Sequence, residues 1–298
     1  MIGSYEDLLL GAIDMHCHGY PEIALDCRMP LEDVFTLQMA KEYGMKGLVL
    51  KSHMWPTVDK ARLLNKMVEG VKAFGSITLN QCCGGVSPWI AEAACKLGAK
   101  VIWMPTWGAR NDIIRRGGPM NILKRAYGND FSLKLRDGIQ MVAENGTLEK
   151  DIRTILEIAQ SYDIMISTGH VSPQESLEMA KYARDLKFKK LVMGHPNTIS
   201  VGASSDQMKE MVRLGAMVEF CFIDAMPLRQ RFHPKQIAGF IRELGPENCI
   251  LSTDAFYDWT PPAPEMLRMF LAALVELAIN REDIKLMVQD NPGRLLNA

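Results

Sequence analysis

A single (β/α)8 barrel is the fold this sequence predicts, and three observations predict it. Eight short, nearly continuous apolar runs alternate with stretches of helical period, as parallel strands covered on both faces require. The alternation continues along the whole chain without a linker or a shift of composition, so residues 1–298 read as one domain. The length of 298 residues suits such a barrel, which takes about 250 residues plus insertions.

The expected strands are residues 11–16, 46–51, 74–80, 100–105, 164–169, 190–194, 216–222 and 249–253. Expected helices fill the intervals with recognisable ends: 31–43 stopping at Gly44, 57–72 capped by Thr57, and 88–97 between Ser87 and Gly98. Further helices run from Thr147 to about 161 and from Ser172-Pro173 to about 186. The last of this set run from Ser204 or Ser205 to Gly215 and from His233-Pro234 to Gly245. Residues 107–145 are too long for a βα loop. With Gly117-Gly118-Pro119, a strand-like 138–142 and the Asn145-Gly146 turn, they read as an insertion after the fourth strand, carrying a small hairpin over the barrel mouth. From Pro261 the tail reads as further helices.

Composition excludes several classes of function. The net charge of −1, from 34 basic and 35 acidic residues, contains no basic block, which argues against nucleic acid or an anionic membrane as partner. No apolar run has membrane-spanning length and the start lacks signal-peptide features, so a cytoplasmic protein acting on a small molecule is expected. Seven cysteines without a paired spacing suggest neither disulfides nor a zinc finger. The many methionines read as core filler, and Gly84-Gly85 lacks the spacing of a phosphate loop.

The chemistry concentrates in Asp14-Met-His16-Cys-His18. In a regular strand residues i and i+2 share a face, so Asp14, His16 and His18 are expected to line up, with Cys17 turned the other way. Only six histidines occur, and five (16, 18, 53, 170 and 195) fall at or just past the end of an expected strand, as does Asp254. Active sites of (β/α)8 enzymes are built at that face from the ends of different strands. Imidazoles with a carboxylate point to a divalent metal, with Zn first and Mn or Fe as alternatives, as one or two ions.

With these motifs in view, the chain resembles the amidohydrolase superfamily of metal-dependent hydrolases over essentially its whole length. Asp14-Met-His16-Cys-His18, Thr168-Gly-His170, Met193-Gly-His195 and Thr253-Asp254 fall in that superfamily's order, and Asn291-Pro-Gly-Arg-Leu-Leu is similar to its usual ending. Leu50-Lys51-Ser-His53 and Trp103-Met-Pro-Thr106 resemble an uncharacterised group within it. The resemblance implies that His16 and His18 ligate the more buried metal, and His170 and His195 a second metal or the substrate carbonyl. It implies that Asp254 ligates metal and acts as general base. It implies hydrolysis of a C–N or C–O bond in a cyclic amide, amide or lactone, by metal-activated water. Decarboxylation on the same scaffold, a lyase using Lys51 as a Schiff-base nucleophile, and a non-catalytic metal-stabilised binding protein are the alternatives.

One departure stands out. Many binuclear members bridge their metals with a carbamylated Lys or a Glu ending strand four, where this chain has Met104-Pro-Thr-Trp107. Lys51 ends strand two instead, and reads as a bridging ligand, a catalytic ammonium, or a lysine snorkelling to the mouth. His53 reads as a metal ligand or substrate contact, or as a loop residue. Trp107, Arg110 and Asp224 are candidates for substrate contact, Arg110 together with Arg115 and Arg116 through bidentate bonds to an anionic group or else on a solvated loop. Trp55 and Trp103 read as pocket wall or packing, and His233 as a helix cap. Barrels of this kind often pair, which allows a homo-oligomer.

Overall fold

A computed structural model describes residues 5–23, 29, 31–116, 138–227 and 230–298. Nine short strands occupy the eight expected barrel positions: β1 Ile13–His18, β2 Gly47–Lys51, β3 Lys72–Phe74, β4 Ser76–Thr78, β5 Val101–Trp103, β6 Met165–Ser167, β7 Leu191–Gly194, β8 Met217–Cys221 and β9 Cys249–Ser252. All neighbours pair in parallel, in the orders β1-β2-β3 and β4 through β9. The first and last strands are tied by two backbone hydrogen bonds, Asp254 N to His16 O at 2.7 Å and His18 N to Ala255 O at 3.0 Å.

β3 and β4 are one strand kinked at Gly75. A Cβ at Gly75 would stand 2.5 Å from the backbone Cα of Val58, so only glycine fits there. Beyond the kink, hydroxyls replace the backbone ladder toward β2. Ser76 and Thr57 each donate to Leu50 O at 2.6 Å, and Thr78 donates to Ser52 O at 2.6 Å. This employment explains why Thr57, expected as a helix cap, makes no side-chain cap bond.

The helices are Asp33–Glu42, Val58–Met67, Pro88–Leu97, Lys150–Tyr162, Pro173–Asp185, Ser205–Arg213, Pro234–Leu244 and Ala263–Glu276, close to the expected ranges with one exception. The second stops at Met67 instead of 72, because Val68 turns extended and Lys72 already begins β3. Ser172 and Ser204 complete capping boxes with Glu175 and Gln207. Exposed His233 caps its helix, Nδ1 accepting from Lys235 N at 3.1 Å, as expected. Two apolar layers result. Ile13, Met15, Val49, Val101, Trp103 and Ile250 fill the barrel interior, closed at the N-terminal ends of the strands by Leu295 and Leu296. Leu48, Leu50, Ile77, Ile102, Val218 and Phe220 face the surrounding helices. The terminal Asn-Pro-Gly-Arg-Leu-Leu therefore plugs the barrel floor, with Asn291 Nδ2 donating to Cys249 O at 2.8 Å.

The insertion differs in detail. Arg110–Arg116 is helical, and 138–148 carries only single bridges, Ala109 with Ile139 and Val142 with Leu148, instead of a strand over 138–142. Gly138 breaks that strand with φ of 73°, and a Cβ there would lie 2.4 Å from Arg110 Cα. The tight turn at Asn145-Gly146 is present, and Glu175 anchors the segment by accepting from Met141 N at 2.7 Å. Gly117-Gly118-Pro119 lies outside the described residues. No described helix is long and apolar enough to cross a membrane.

Gly75→Ala should lower stability by roughly 1–3 kcal/mol through overpacking, read as a lower midpoint of urea denaturation with an unchanged slope.

Candidate functional site

The site forms at the C-terminal ends of the strands, beginning with an irregularity in β1. Asp14 pairs with Leu48 but Cys17 with Leu50, so β1 holds one extra residue between these pairs. The bulge resets the alternation. Ile13 and Met15 point inward before it, His16 and His18 after it, and Cys17 packs in the outer layer as expected. Asp14 therefore does not share a face with the histidines, contrary to the i, i+2 expectation. Its carboxylate accepts from Thr253 Oγ1 at 2.6 Å, and from Thr253 N and His16 N at 3.1 Å each. It clamps the first strand to the segment after the last. Burial raises the Asp14 pKa to about 7 against the lowering effect of those bonds.

Both strand-one imidazoles meet one carboxylate oxygen. Asp254 Oδ1 lies 3.1 Å from His16 Nε2 and 3.0 Å from His18 Nε2, and Lys51 Nζ lies 2.9 Å from His16 Nε2. Lys51 is 1% exposed and lies 5.0 Å from the Trp103 ring centroid, while Trp103 packs 4.6 Å from the His16 ring. Trp103 thus belongs to the barrel interior, and Trp55 is exposed. Two residues of the site hold left-handed backbone, His195 at φ 25° and Asp254 at φ 50°, a strain that clusters at functional sites.

Above this floor opens a pocket with about 580 Å3 of empty space, continuous with solvent. His18, Lys51, His53, His170, His195 and Asp254 line it, with Trp107, Asp224 and Phe256 among the wall residues. His16 and Arg110 do not line it. His16 lies fully buried beneath, whereas Arg110 is exposed at the start of its helix, its backbone N bonded to Ile139 O at 2.9 Å. Among the described residues the arginine that lines the pocket is Arg231. Arg115 donates to Ile199 O at 2.7 Å and ties this helix to the loop after β7.

Two glutamates complete the site and escaped the sequence reading. Glu219, fully buried on β8, accepts from Ser252 Oγ at 2.7 Å and places Oε2 3.4 Å from His16 Nδ1. Glu22, in the loop after β1, places Oε1 3.3 Å from His18 Nδ1 and accepts from His53 N at 2.6 Å. Each strand-one imidazole therefore has a carboxylate at Nδ1 and Asp254 at Nε2. A lone carboxylate in the apolar run Ala216-Met-Val-Glu219-Phe-Cys-Phe was a readable signal for Glu219; Glu22 had none.

Burial sets the charge states. It lowers the Lys51 pKa, opposed by Asp254 and Glu219. For His16, burial and Lys51 push down, but Asp254 and Glu219 outweigh them and leave its pKa raised. Burial would raise the Asp254 pKa, yet His16, His18 and Lys51 hold it well below the usual carboxylate range. His53 and His195 are pushed well below their ordinary value, mainly by burial and also by neighbouring cations.

The donor set fits a divalent metal. Ligand atoms of His16, His18 and Asp254 lie within 4.8 Å of one another, and all are nitrogen or oxygen donors suited to first-row ions. The buried Nδ1 of His195 has no hydrogen-bond partner among the described residues.

The comparisons agree with this architecture. The fold matches an amidohydrolase from Pseudomonas aeruginosa with a TM-score of 0.62 at 11% identity, over 99% of this chain and 98% of that one. A lactonase from Listeria monocytogenes matches at 0.59 and 13% identity, over 97% and 95%. An organophosphorus hydrolase from Deinococcus radiodurans matches at 0.57 and 14% identity, over 96% and 92%. In fold the chain is thus similar to the barrels of these hydrolases. It belongs to a family of unknown function, DUF6282, whose model matches residues 11–219. No curated protein matches the chain.

In the metal-free protein, the His53 and His195 rings should stay neutral at and above the ordinary histidine midpoint of 6.5. An imidazole NMR titration checks this, and a midpoint near or above that value for either ring would contradict it.

Proposed function

We propose that this chain is a metal-dependent hydrolase that cleaves a C–N or C–O bond in a small cyclic amide, amide or lactone. The observation that carries the reading is the convergence of His16 Nε2 and His18 Nε2 on Asp254 Oδ1 at the floor of a pocket shared with His170 and His195. Hydrolase-fold neighbours of nearly full coverage support it.

His16, His18 and Asp254 would hold the first ion, with His170 and His195 facing a second ion or the substrate carbonyl. Zn suits this donor set, as do Mn and Fe. When bound, such an ion polarises the scissile carbonyl and acidifies water from 15.7 to roughly 7. Asp254, ionised and one-fifth exposed at the pocket floor, accepts the water proton and delivers it to the leaving nitrogen or oxygen. Glu219 and Glu22 stand 3.4 and 3.3 Å from the Nδ1 atoms of His16 and His18, where they would favour the ring orientation that leaves Nε2 for the ion. Lys51 brings its amine into the same locus, as a carbamylated bridge or as a group that meets substrate. Trp107, Phe256 and Asp224 shape the space for a small molecule.

Metal content per chain is the primary test, on wild type and Lys51→Ala together. Two ions falling to one or none in the variant identify Lys51 as a bridge; one ion in both makes it substrate-facing; none in either overturns the reading. Asp254→Asn should keep metal on His16 and His18 while turnover of a lactone and amide panel falls by about 10²–10⁴. Solvent oxygen should appear in the product acid, whereas CO2 release without it would assign decarboxylation. Glu219→Gln should weaken metal affinity by roughly 10–100-fold, measured by competition with a chromogenic chelator.

A further inference from the structure

His53 is held on every side but one. Its backbone N donates to Glu22 at 2.6 Å, and its carbonyl accepts from Asn80 Nδ2 at 3.0 Å. Its ring stacks on Trp107 with centroids 3.9 Å apart and planes 24° apart. Its Nδ1 lies 2.8 Å from Thr106 Oγ1. What remains is Nε2, on a ring that lines the pocket.

The surrounding hydrogen bonds decide which ring nitrogen carries the proton. Asn80 Oδ1 accepts from two backbone donors, Thr106 N at 2.9 Å and Gly108 N at 3.1 Å, which fixes the orientation of its amide. Asn80 Nδ2 is therefore the donor toward Thr106 Oγ1, at 2.8 Å. The Thr106 hydroxyl, fully buried, already accepts there and has one proton to give. Among the described residues its acceptor is His53 Nδ1. The opposite tautomer would leave that buried hydroxyl proton without an acceptor, a cost of about 1–3 kcal/mol. Nδ1 is thus the bare nitrogen and Nε2 carries the hydrogen.

We propose that His53 donates a hydrogen bond through Nε2–H to an oxygen of the substrate, and that it ligates no metal. The identity of that oxygen as the carbonyl undergoing hydrolysis rests on the function proposed above. The rival reading is a second metal among His18, Glu22 and His53, whose ligand atoms also lie within 4.8 Å of one another. With Nδ1 engaged by Thr106 Oγ1, His53 could ligate such an ion only through a bare Nε2, the state that the Asn80–Thr106 chain disfavours. Thr106 and Asn80 are positioning residues here, acting on substrate only through the His53 ring. A donor on a clamped ring costs no reorganisation as charge develops on the substrate oxygen, the condition under which such donors contribute most.

The test is a long-range proton–nitrogen NMR correlation of the imidazoles in 15N-histidine protein, as purified and after Zn2+ addition, with His53 assigned by its loss in His53→Asn. The expected result is the Nε2–H tautomer, unmoved by Zn2+. Thr106→Val should abolish the preference and Thr106→Ser should preserve it. An Nδ1–H tautomer, or a His53 Nε2 signal displaced by Zn2+ as a ligand would be, overturns the proposal. In turnover, His53→Ala should lose roughly 10²–10³ in kcat with its metal content intact; metal lost along with activity would also overturn it. If wild type binds no metal and hydrolyses none of the panel, the hydrolase reading fails, while the tautomer measurement still decides whether the ring presents a donor.

Discussion

The seam between the first and last strands governs both the fold and the site. Closing the barrel there requires Asp254 N to bond His16 O and Asp14 to grip Thr253. The same closure brings Asp254 Oδ1 to the Nε2 atoms of His16 and His18. Backbone that closes the sheet and side chains that could bind a metal are consecutive residues, so neither can shift without the other. The left-handed backbone of Asp254 belongs to this junction: it turns the chain out of the strand while aiming the carboxylate back across the seam.

Around the seam the protein assembles charge in a place that opposes it. Lys51, Glu219 and Glu22 are all almost fully buried, and isolated charges there would be expensive. They are tolerated as a connected set, with Lys51 and both imidazoles between the two glutamates and Asp254. Small residues make room for the set. A Cβ at Gly194 would stand 2.9 Å from Ser167 Oγ and 3.3 Å from Glu219 Oε2. The pocket above is different in kind, with rings of His53, Trp107 and Phe256 giving planar apolar surface beside a few polar groups. That combination suits a small substrate bearing a carbonyl.

Local sequence patterns determined the scaffold. The apolar runs gave eight barrel positions because a strand covered on both faces has no polar side to vary, and Ser-Pro or Ser-led starts with Gly stops marked the helices. Histidines 16, 18, 53, 170 and 195, with Lys51 and Asp254, were legible as a cluster because strand ends converge in this fold whatever their order in the chain. Tertiary structure alone decided the rest. The bulge in β1 that turns Asp14 away depends on pairing with β2, which no period-two pattern contains. Glu219 reaches His16 from β8, Glu22 folds back onto His18 from the loop just after it, and Arg231, not Arg110, lines the pocket. Periodicity reports which face of an element is buried, but not which atoms meet there. Those meetings depend on closure and register, which exist only once the barrel has formed.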